Sequence, residues 1–401
     1  MKVFWLVLAS SDGDFLKNST LFNKLKENHP EIELIMILGD SFKKRVQNLK
    51  IIPKFKLIFL KEPSFLIKLL LIPYKFLRFQ NKNQRNAEFF FIYLMGYKKL
   101  LKNENPDCVV SNLIYQPYSW QTSRYCKSLG IPFIIQLEKK LFSPNLMTNY
   151  FEKIIQKLLN KLIKGFTHIL SWTKAGVEFG KKNINVDKSH IKFLPAGINT
   201  KKFYNIPLKR SKDSNELLLL IVARLVPFKR HIDLLKALKY LNEKNTIDLS
   251  LTIIGEGYLK RDLLRTIKKY KISHLIKFID KVPYESMKEI YSSYDVLILP
   301  SYNEALGMVV PEAMSCGLPV IVSDTVGAAS YVKDGYNGYI FKTFDFIDLA
   351  NKIIKLSNIH KRIEFGKNAM MHIRENFDTS IISNKFYEYV IDSIESKKRT
   401  F

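Results

Sequence analysis

The sequence predicts an α/β protein built from two Rossmann-like domains that face each other across a cleft. Three observations predict it: a length of 401 residues, short apolar runs alternating with helical patterns, and a restart of that alternation near the middle of the chain. The length exceeds one ordinary core and suits two domains of roughly 200 residues. An apolar content of 47% is globular, and 16 Gly and 15 Pro are too few for a fibrous or linker-rich chain.

In the first half, Val3–Leu8, Glu33–Leu38, Phe55–Leu60, Cys108–Ser111, Phe133–Leu137, His168–Leu170 and Ile191–Leu194 have the length and composition of strands. Helical patterns at Phe89–Leu101, Ser119–Leu129 and Asn149–Ile163 lie between several of them. Strands spaced by helices of this length imply βαβ units around a parallel sheet. The alternation ends around Pro195-Ala196-Gly197, and the polar, Lys-rich residues 200–216 read as a linker. It resumes with strands at Leu217–Val222, Leu249–Ile254, Leu275–Ile279, Val296–Leu299 and Pro319–Val322. The intervening helices are Lys229–Tyr240, Leu259–Lys269, Ser286–Ser293 and Val309–Cys316. Helices over Asp345–Leu356, Lys361–Asn376 and Ile381–Ile394 close the chain. The expected domains are 1–200 and 201–380, with 381–401 a terminal helix that packs back on the first domain. Ligands of such sheets bind outside the carboxyl ends of the strands.

Cys108, Cys126 and Cys316 lie far apart, with neither disulfide nor zinc spacing, which suits a reducing compartment. The opening run lacks the length and cleavage site of a signal peptide, and no window has the apolar length of a membrane span. A cytoplasmic location is expected. The net charge of +27 is uneven, with +22 in residues 1–210 and +5 in residues 211–401. A general preference for lysine predicts a uniform excess, so the split points to an anionic surface or substrate beside the first half. In Pro63–Lys82, a greasy run is interrupted by Lys68, Lys75, Arg78 and Lys82. A helix lying in a membrane interface, with snorkelling lysines, has this pattern; so has a core helix with exposed lysines. Nucleic-acid binding also fits a basic chain, but no basic stripe with interleaved aromatics or known reading module is present.

Two segments carry candidate chemistry. In Val222-Ala223-Arg224-Leu225-Val226-Pro227-Phe228-Lys229-Arg230, a strand ends, a short loop follows and a helix begins. Arg224 and Lys229 flank a helix start, a combination suited to a diphosphate, although a surface loop with ordinary lysines has the same composition. Ile254-Gly255-Glu256-Gly257 is a glycine turn at another strand end, common in loops of every kind. The second segment runs from Ser301 to Ile321 and contains Glu304, Ala305, Leu306, Gly307, Met308, Val309 and Glu312. Its two carboxylates, eight residues apart around a helix start, can accept hydrogen bonds from sugar or ribose hydroxyls. A paired-carboxylate hydrolase is the competing idea, but it has no need of the basic residues opposite.

From Arg224 to Ile321 the chain resembles the retaining glycosyltransferases of family 4, also called glycosyl transferases group 1, which have the GT-B fold. The match consists of the strand–Arg–loop–Lys segment, the Gly-x-Gly turn, the Glu304 to Glu312 spacing and Cys316-Gly317-Leu318-Pro319-Val320. Looser matches are Pro195-Ala196-Gly197-Ile198-Asn199 and Asp334-Gly335-Tyr336-Asn337-Gly338. The resemblance implies that Arg224 and Lys229 grip the donor diphosphate, that Glu304 bonds the donor sugar, and that Glu312 holds the ribose. Residues Ala305 to Val309 would lie near sugar and phosphate, with Gly255 and Pro283 in the nucleotide site. It further implies a UDP- or GDP-sugar donor, no cofactor and no metal. A hexose or N-acetylhexosamine would pass with retention to a lipid-linked or cell-surface saccharide, as in polysaccharide or lipopolysaccharide biosynthesis. A sugar-nucleotide epimerase, a phosphorylase of the same plan, or a non-enzymatic nucleic-acid or membrane-binding protein are the alternatives.

The acceptor side departs from the family. Where members commonly have two glycines after the first strand, the chain has Ser10-Ser11-Asp12-Gly13-Asp14. Where many have a histidine after the strand ending here at Leu137, it has Glu138. Asp12, Gly13, Trp120 and Glu138 are the acceptor-side candidates, although Trp120 equally suits a buried aromatic cluster. His168, inside a strand-like run, reads as a core residue.

Overall fold

The computed structural model describes residues 1–6, 12–39, 43, 53–60, 94–112, 117–137, 166–184, 186–204, 216–302 and 304–398. They form two compact units, Met1–Ala196 with Thr379–Phe401, and Gly197–Asp378. Pro63–Lys82, the pattern at Asn149–Ile163, Glu138 and most of the expected linker lie outside the described residues.

The first unit is a seven-stranded parallel sheet. Its strands are β1 (Lys2–Leu6), β2 (Glu33–Gly39), β3 (Lys56–Leu60), β4 (Cys108–Ser111), β5 (Phe133–Leu137), β6 (His168–Ser171) and β7 (Ile191–Phe193). They lie in the order β3-β2-β1-β4-β5-β6-β7. Every residue of β4, β5 and β6 is buried, which is why these strands are mostly apolar instead of alternating, with Ser111, Gln136, His168 and Ser171 as buried polar exceptions. Successive side chains go to opposite faces. On one face Val3, Trp5, Val110 and Ile134 meet α1 (Asp12–Asn28) and α11 (Thr379–Lys398). On the other, Phe4, Val109, Phe133 and Ile135 meet α2 (Tyr97–Glu104), α3 (Pro117–Leu129) and α4 (Lys174–Asn183).

The terminal helix belongs to this first unit because its aromatic and polar side chains both fit there. Trp5 packs on Phe22 of α1 and Phe386 of α11, with ring centroids 4.5 and 4.7 Å apart. Asn28 Nδ2 donates to Ser383 Oγ at 2.9 Å and to Asn384 Oδ1 at 2.8 Å. The chain enters and leaves the second unit at adjacent points, where Ile198 and Asp378 form a parallel bridge.

The second unit is a six-stranded parallel sheet in the order β10-β9-β8-β11-β12-β13. The strands are β8 (Leu217–Val222), β9 (Leu249–Ile254), β10 (Ile276–Ile279), β11 (Val296–Leu299), β12 (Val320–Ser323) and β13 (Gly338–Phe341). One face is closed by α5 (His231–Lys244), α6 (Lys260–Lys269) and α9 (Phe346–Lys355), whose leucines and isoleucines pack against Leu219, Ile221 and Leu251. Shorter α7 (Met287–Tyr291) and α8 (Val309–Ser315) follow β10 and β11, and α10 (Ile359–Asn376) packs against α8. Both sheets are therefore Rossmann-like, each reversing its strand order once, between β1 and β4 and between β8 and β11.

Three differences from the sequence expectation have local causes. Asp12 and Gly13 open α1 instead of lying in a loop after β1, because the helix begins inside the polar run Ser10-Ser11-Asp12-Gly13-Asp14. The helix expected from Lys229 starts at His231, since Pro227 initiates a separate 3-10 turn and Arg230 adopts φ of 53° between the two. Strand β13 went unread because Gly338 and Tyr339 follow a turn that masks its four residues.

Phe386 is fully buried on Trp5. Phe386→Ala is expected to destabilise the first unit by about 3–5 kcal/mol, read as a lower urea midpoint. A midpoint equal to that of the parent protein would contradict this packing.

Candidate functional site

The loops that follow β8 and β11 leave the sheet at the point where its strand order reverses, so they meet above its carboxyl edge. After β8 the backbone runs through Ala223, Arg224, Leu225 and Val226 into the 3-10 turn Pro227–Lys229. Its path is set by the neighbouring glycine turn after β9. Ala223 N donates to Ile254 O at 3.0 Å, and Leu225 N to Glu256 O at 2.8 Å. A Cβ on Gly255 would stand 2.0 Å from Ala223 O, and one on Gly257 2.4 Å from Leu225 O. Only glycine allows the two loops to approach this closely. A turn that taken alone carries little information thus becomes the support of the Arg224–Lys229 segment.

A second tie joins the segment to the loop after β11: Tyr302 N donates to Phe228 O at 2.7 Å. Lys229 is buried at 8% exposure, and its Nζ donates to Glu304 Oε1 in an ion pair. The other carboxylate oxygen, Glu304 Oε2, is buried and has no hydrogen-bond partner. Glu304 is also held by its backbone, which accepts from Gly327 N at 2.8 Å. Arg224, by contrast, is exposed; its guanidinium lies 5.8 Å and the Lys229 ammonium 5.6 Å from the centre of the Phe228 ring. The structure therefore brings together a buried lysine–carboxylate pair and an accessible arginine. A buried acceptor left unpaired is costly. Here the unpaired oxygen lies beside the Lys229 ion pair with its acceptor capacity unused.

Residues Ala305 and Leu306 continue the loop, and Gly307 turns it with φ of 71°. A side chain there would press against Leu299, Val326 and Ala328. Met308 precedes α8, where Val309 begins the helix and Pro311 occupies a first-turn position that needs no amide donor. Glu312 lies one residue further, at 7% exposure. It accepts from Tyr284 Oη and from Tyr291 Oη, each at 2.9 Å. Burial pushes its carboxyl up to about 7, against the two phenol hydrogen bonds and the Lys202 charge, which pull it down. Pro283 caps the 3-10 turn that carries Tyr284.

Several neighbours were not legible in the sequence. Tyr284 and Tyr291 have no spacing relation to Glu312, and only the packing of α7 on α8 brings them there. Arg230 holds Asp233 through Nε at 2.8 Å and Nη2 at 2.7 Å, which fixes the start of α5 beside Lys229. His231 is buried, and desolvation with the adjacent Lys229 charge lowers its imidazole to about 4, so it adds no positive charge at neutral pH.

In the first unit, Asp12 and Gly13 form the first turn of α1. Trp120 is half-buried on α3 and packs against the apolar face with Phe4 and Tyr97. Gln136, near the carboxyl end of β5, is buried with both amide atoms unpartnered. His168 occupies the first position of β6, at the opposite edge of the sheet, and its Nε2 lies 3.0 Å from Asp392 Oδ2. Among the described residues no cluster of three His, Cys, Asp or Glu side chains stands in metal-ligand geometry. Among them, too, no helix is long and apolar enough to cross a membrane.

Residues 205–371, less than half of the chain, match the family model described as Glycosyl transferases group 1. An uncharacterized glycosyltransferase of Methanocaldococcus jannaschii is 30% identical over 242 residues, 58% of this chain and 60% of that protein. The UDP-Gal:alpha-D-GlcNAc-diphosphoundecaprenol alpha-1,3-galactosyltransferase of Escherichia coli is 28% identical over 232 residues, 54% of this chain and 58% of that protein. The chain thus spans less than two thirds of the length of both relatives. Among solved structures, the Anabaena protein HepE in complex with UDP superposes with a TM-score of 0.72 at 17% identity, covering 97% of this chain and 99% of that one. At that identity the likeness concerns the fold, which is GT-B.

The glycine contacts generate a direct test. Gly255→Ala is expected to displace the Ala223–Leu225 backbone and to cost about 2–4 kcal/mol in the stability of the second unit. Thermal unfolding measures it, and an unchanged transition would show that the loops do not depend on their close approach.

Proposed function

We propose that the chain is a glycosyltransferase of group 1 that takes a hexose or N-acetylhexosamine from a nucleoside diphosphate sugar and transfers it with retention. The observation that carries this reading is the Lys229–Glu304 pair at the strand-order reversal, with one free carboxylate oxygen and exposed Arg224 beside it. Arg224 and Lys229 bind the diphosphate and stabilise the charge that develops as it leaves. Glu304 Oε2 accepts from a hydroxyl of the donor sugar. Glu312 receives the ribose hydroxyls, and Gly255, Pro283 and the backbone from Ala305 to Val309 border the nucleotide.

Retention follows a front-face substitution. The leaving diphosphate oxygen helps to remove the acceptor proton, and no covalent intermediate on the enzyme is needed. UDP or GDP is the expected nucleotide, with no further cofactor. UDP is the nucleotide in the HepE complex, which has the same fold. The acceptor is a saccharide, lipid-linked or on the cell surface, read by the first unit through Asp12, Gly13, Trp120 and Glu138. The basic first half and Pro63–Lys82 dock the enzyme peripherally on the inner, anionic face of a membrane. A matched relative is named for a diphosphoundecaprenol-linked acceptor, which supports this placement. An epimerase of the same fold would release nucleotide and sugar without any acceptor.

Thermal-shift screening with UDP-, GDP- and ADP-sugars, followed by donor-turnover assays on those that bind, tests the central claim. Lys229→Ala and Arg224→Ala should each lower turnover by about 100-fold or more; near-normal rates in either would overturn the assignment. Liposome co-sedimentation tests docking. Binding should rise with anionic lipid content and fall when Lys68, Lys75 and Arg78 are replaced, and indifference to both would refute it.

A further inference from the structure

Glu312 is enclosed by two phenols of different character. Tyr291, 1% exposed, is part of the core and packs near Phe203. Tyr284 is 51% exposed, yet its hydroxyl turns inward to donate to Glu312 Oε1. Its ring packs edge-on against Phe203, with centroids 5.7 Å apart, and Lys202 Nζ sits 4.0 Å from its centroid. A cation over the face of a phenol restrains the ring and makes its hydroxyl a better donor.

A carboxylate offers about four lone-pair sites. The phenols take one on each oxygen, fix the carboxylate plane, and leave one on each oxygen for a vicinal diol. We propose that Tyr284, steadied by Lys202, is a positioning residue that orients the Glu312 carboxylate towards the two ribose hydroxyls of the donor nucleotide. This rests on the role of Glu312 given above. Tyr284 acts through Glu312 and not on the diphosphate, so it governs affinity for the nucleoside end and leaves the chemical step alone.

The charges around Glu312 make the effect visible against pH. Lys202 faces it through the Tyr284 ring, and Glu285 adjoins Tyr284. Lys288 and Glu289 on α7 face Cys316 at the end of α8. Both phenols are pushed up by burial and by Glu312, and burial lifts the Cys316 thiol to about 12, so all three stay protonated. Glu312 is then the group of this cluster that changes charge near neutrality. Its carboxylate form binds the diol, so nucleotide affinity should fall as pH drops below about 7. Removing one donor favours the protonated form and moves that fall to higher pH.

Calorimetric titration of UDP, GDP and inorganic pyrophosphate into the full chain and its Tyr284→Phe, Lys202→Met and Glu312→Gln variants tests the inference. Tyr284→Phe keeps the ring and should weaken binding of the preferred nucleoside diphosphate by about tenfold. Pyrophosphate affinity should stay unchanged, and the acid limb of the affinity profile should move to higher pH. Lys202→Met should move both quantities in the same direction by less. Parent-like affinity and pH profile in Tyr284→Phe, while Glu312→Gln loses affinity for the nucleoside diphosphate alone, would overturn the role of Tyr284. If Glu312→Gln itself binds the nucleoside diphosphate like the parent, the ribose role of Glu312 falls, and this inference with it.

Discussion

Lys229 and Glu304 stand 75 residues apart in the chain and share a buried ion pair. That contact joins the two loops that carry Arg224, Lys229 and Glu304. Its origin is topological: β8 and β11 are neighbours at the point where strand order reverses, so their following loops meet. A buried lysine without its carboxylate, or the carboxylate without its lysine, would be a costly uncompensated charge. The pair therefore holds the two loops to each other while leaving Glu304 Oε2 unpartnered.

Around that contact the backbone is fixed by close packing. Gly255 and Gly257 let the β9 turn lie against Ala223 and Leu225, and Tyr302 ties the β11 loop to Phe228. Arg230 and Asp233 lock the first turn of α5. These contacts fix the backbone path of the loops, and only Arg224 is exposed among the residues implied to bind diphosphate. In the proposed reaction, charge held in place in this way would need no rearrangement as the diphosphate leaves. Glu312 belongs to a different setting, buried against two phenols, where burial works against ionisation and hydrogen bonds work for it.

Much of the fold was legible in the amino-acid order. Strands such as β8 and β11 announce themselves as unbroken runs of Val, Ile and Leu, and β4 and β5 as short apolar runs with one polar residue each. Elements whose signal is weak or interrupted were lost: α1 begins inside a polar run, α4 is short and lysine-rich, and β13 starts on a glycine. The candidate residues Arg224, Lys229, Glu304 and Glu312 could be named from their spacing and their resemblance to a family. Their partners could not, because a hydrogen bond between Tyr284 and Glu312 has no local signature.

By itself the sequence determined two α/β sheets, the strand ends at which charged residues gather, and an excess of positive charge in the first half. These follow from periodicity and composition, which act over a few residues. Tertiary structure alone decided that a plain glycine turn supports the Arg224–Lys229 loop, and that Lys229 faces Glu304 while two phenols hold Glu312. The physical reason is that such contacts join residues on different strands and helices. Their existence depends on strand order and close packing, which no short stretch of chain encodes.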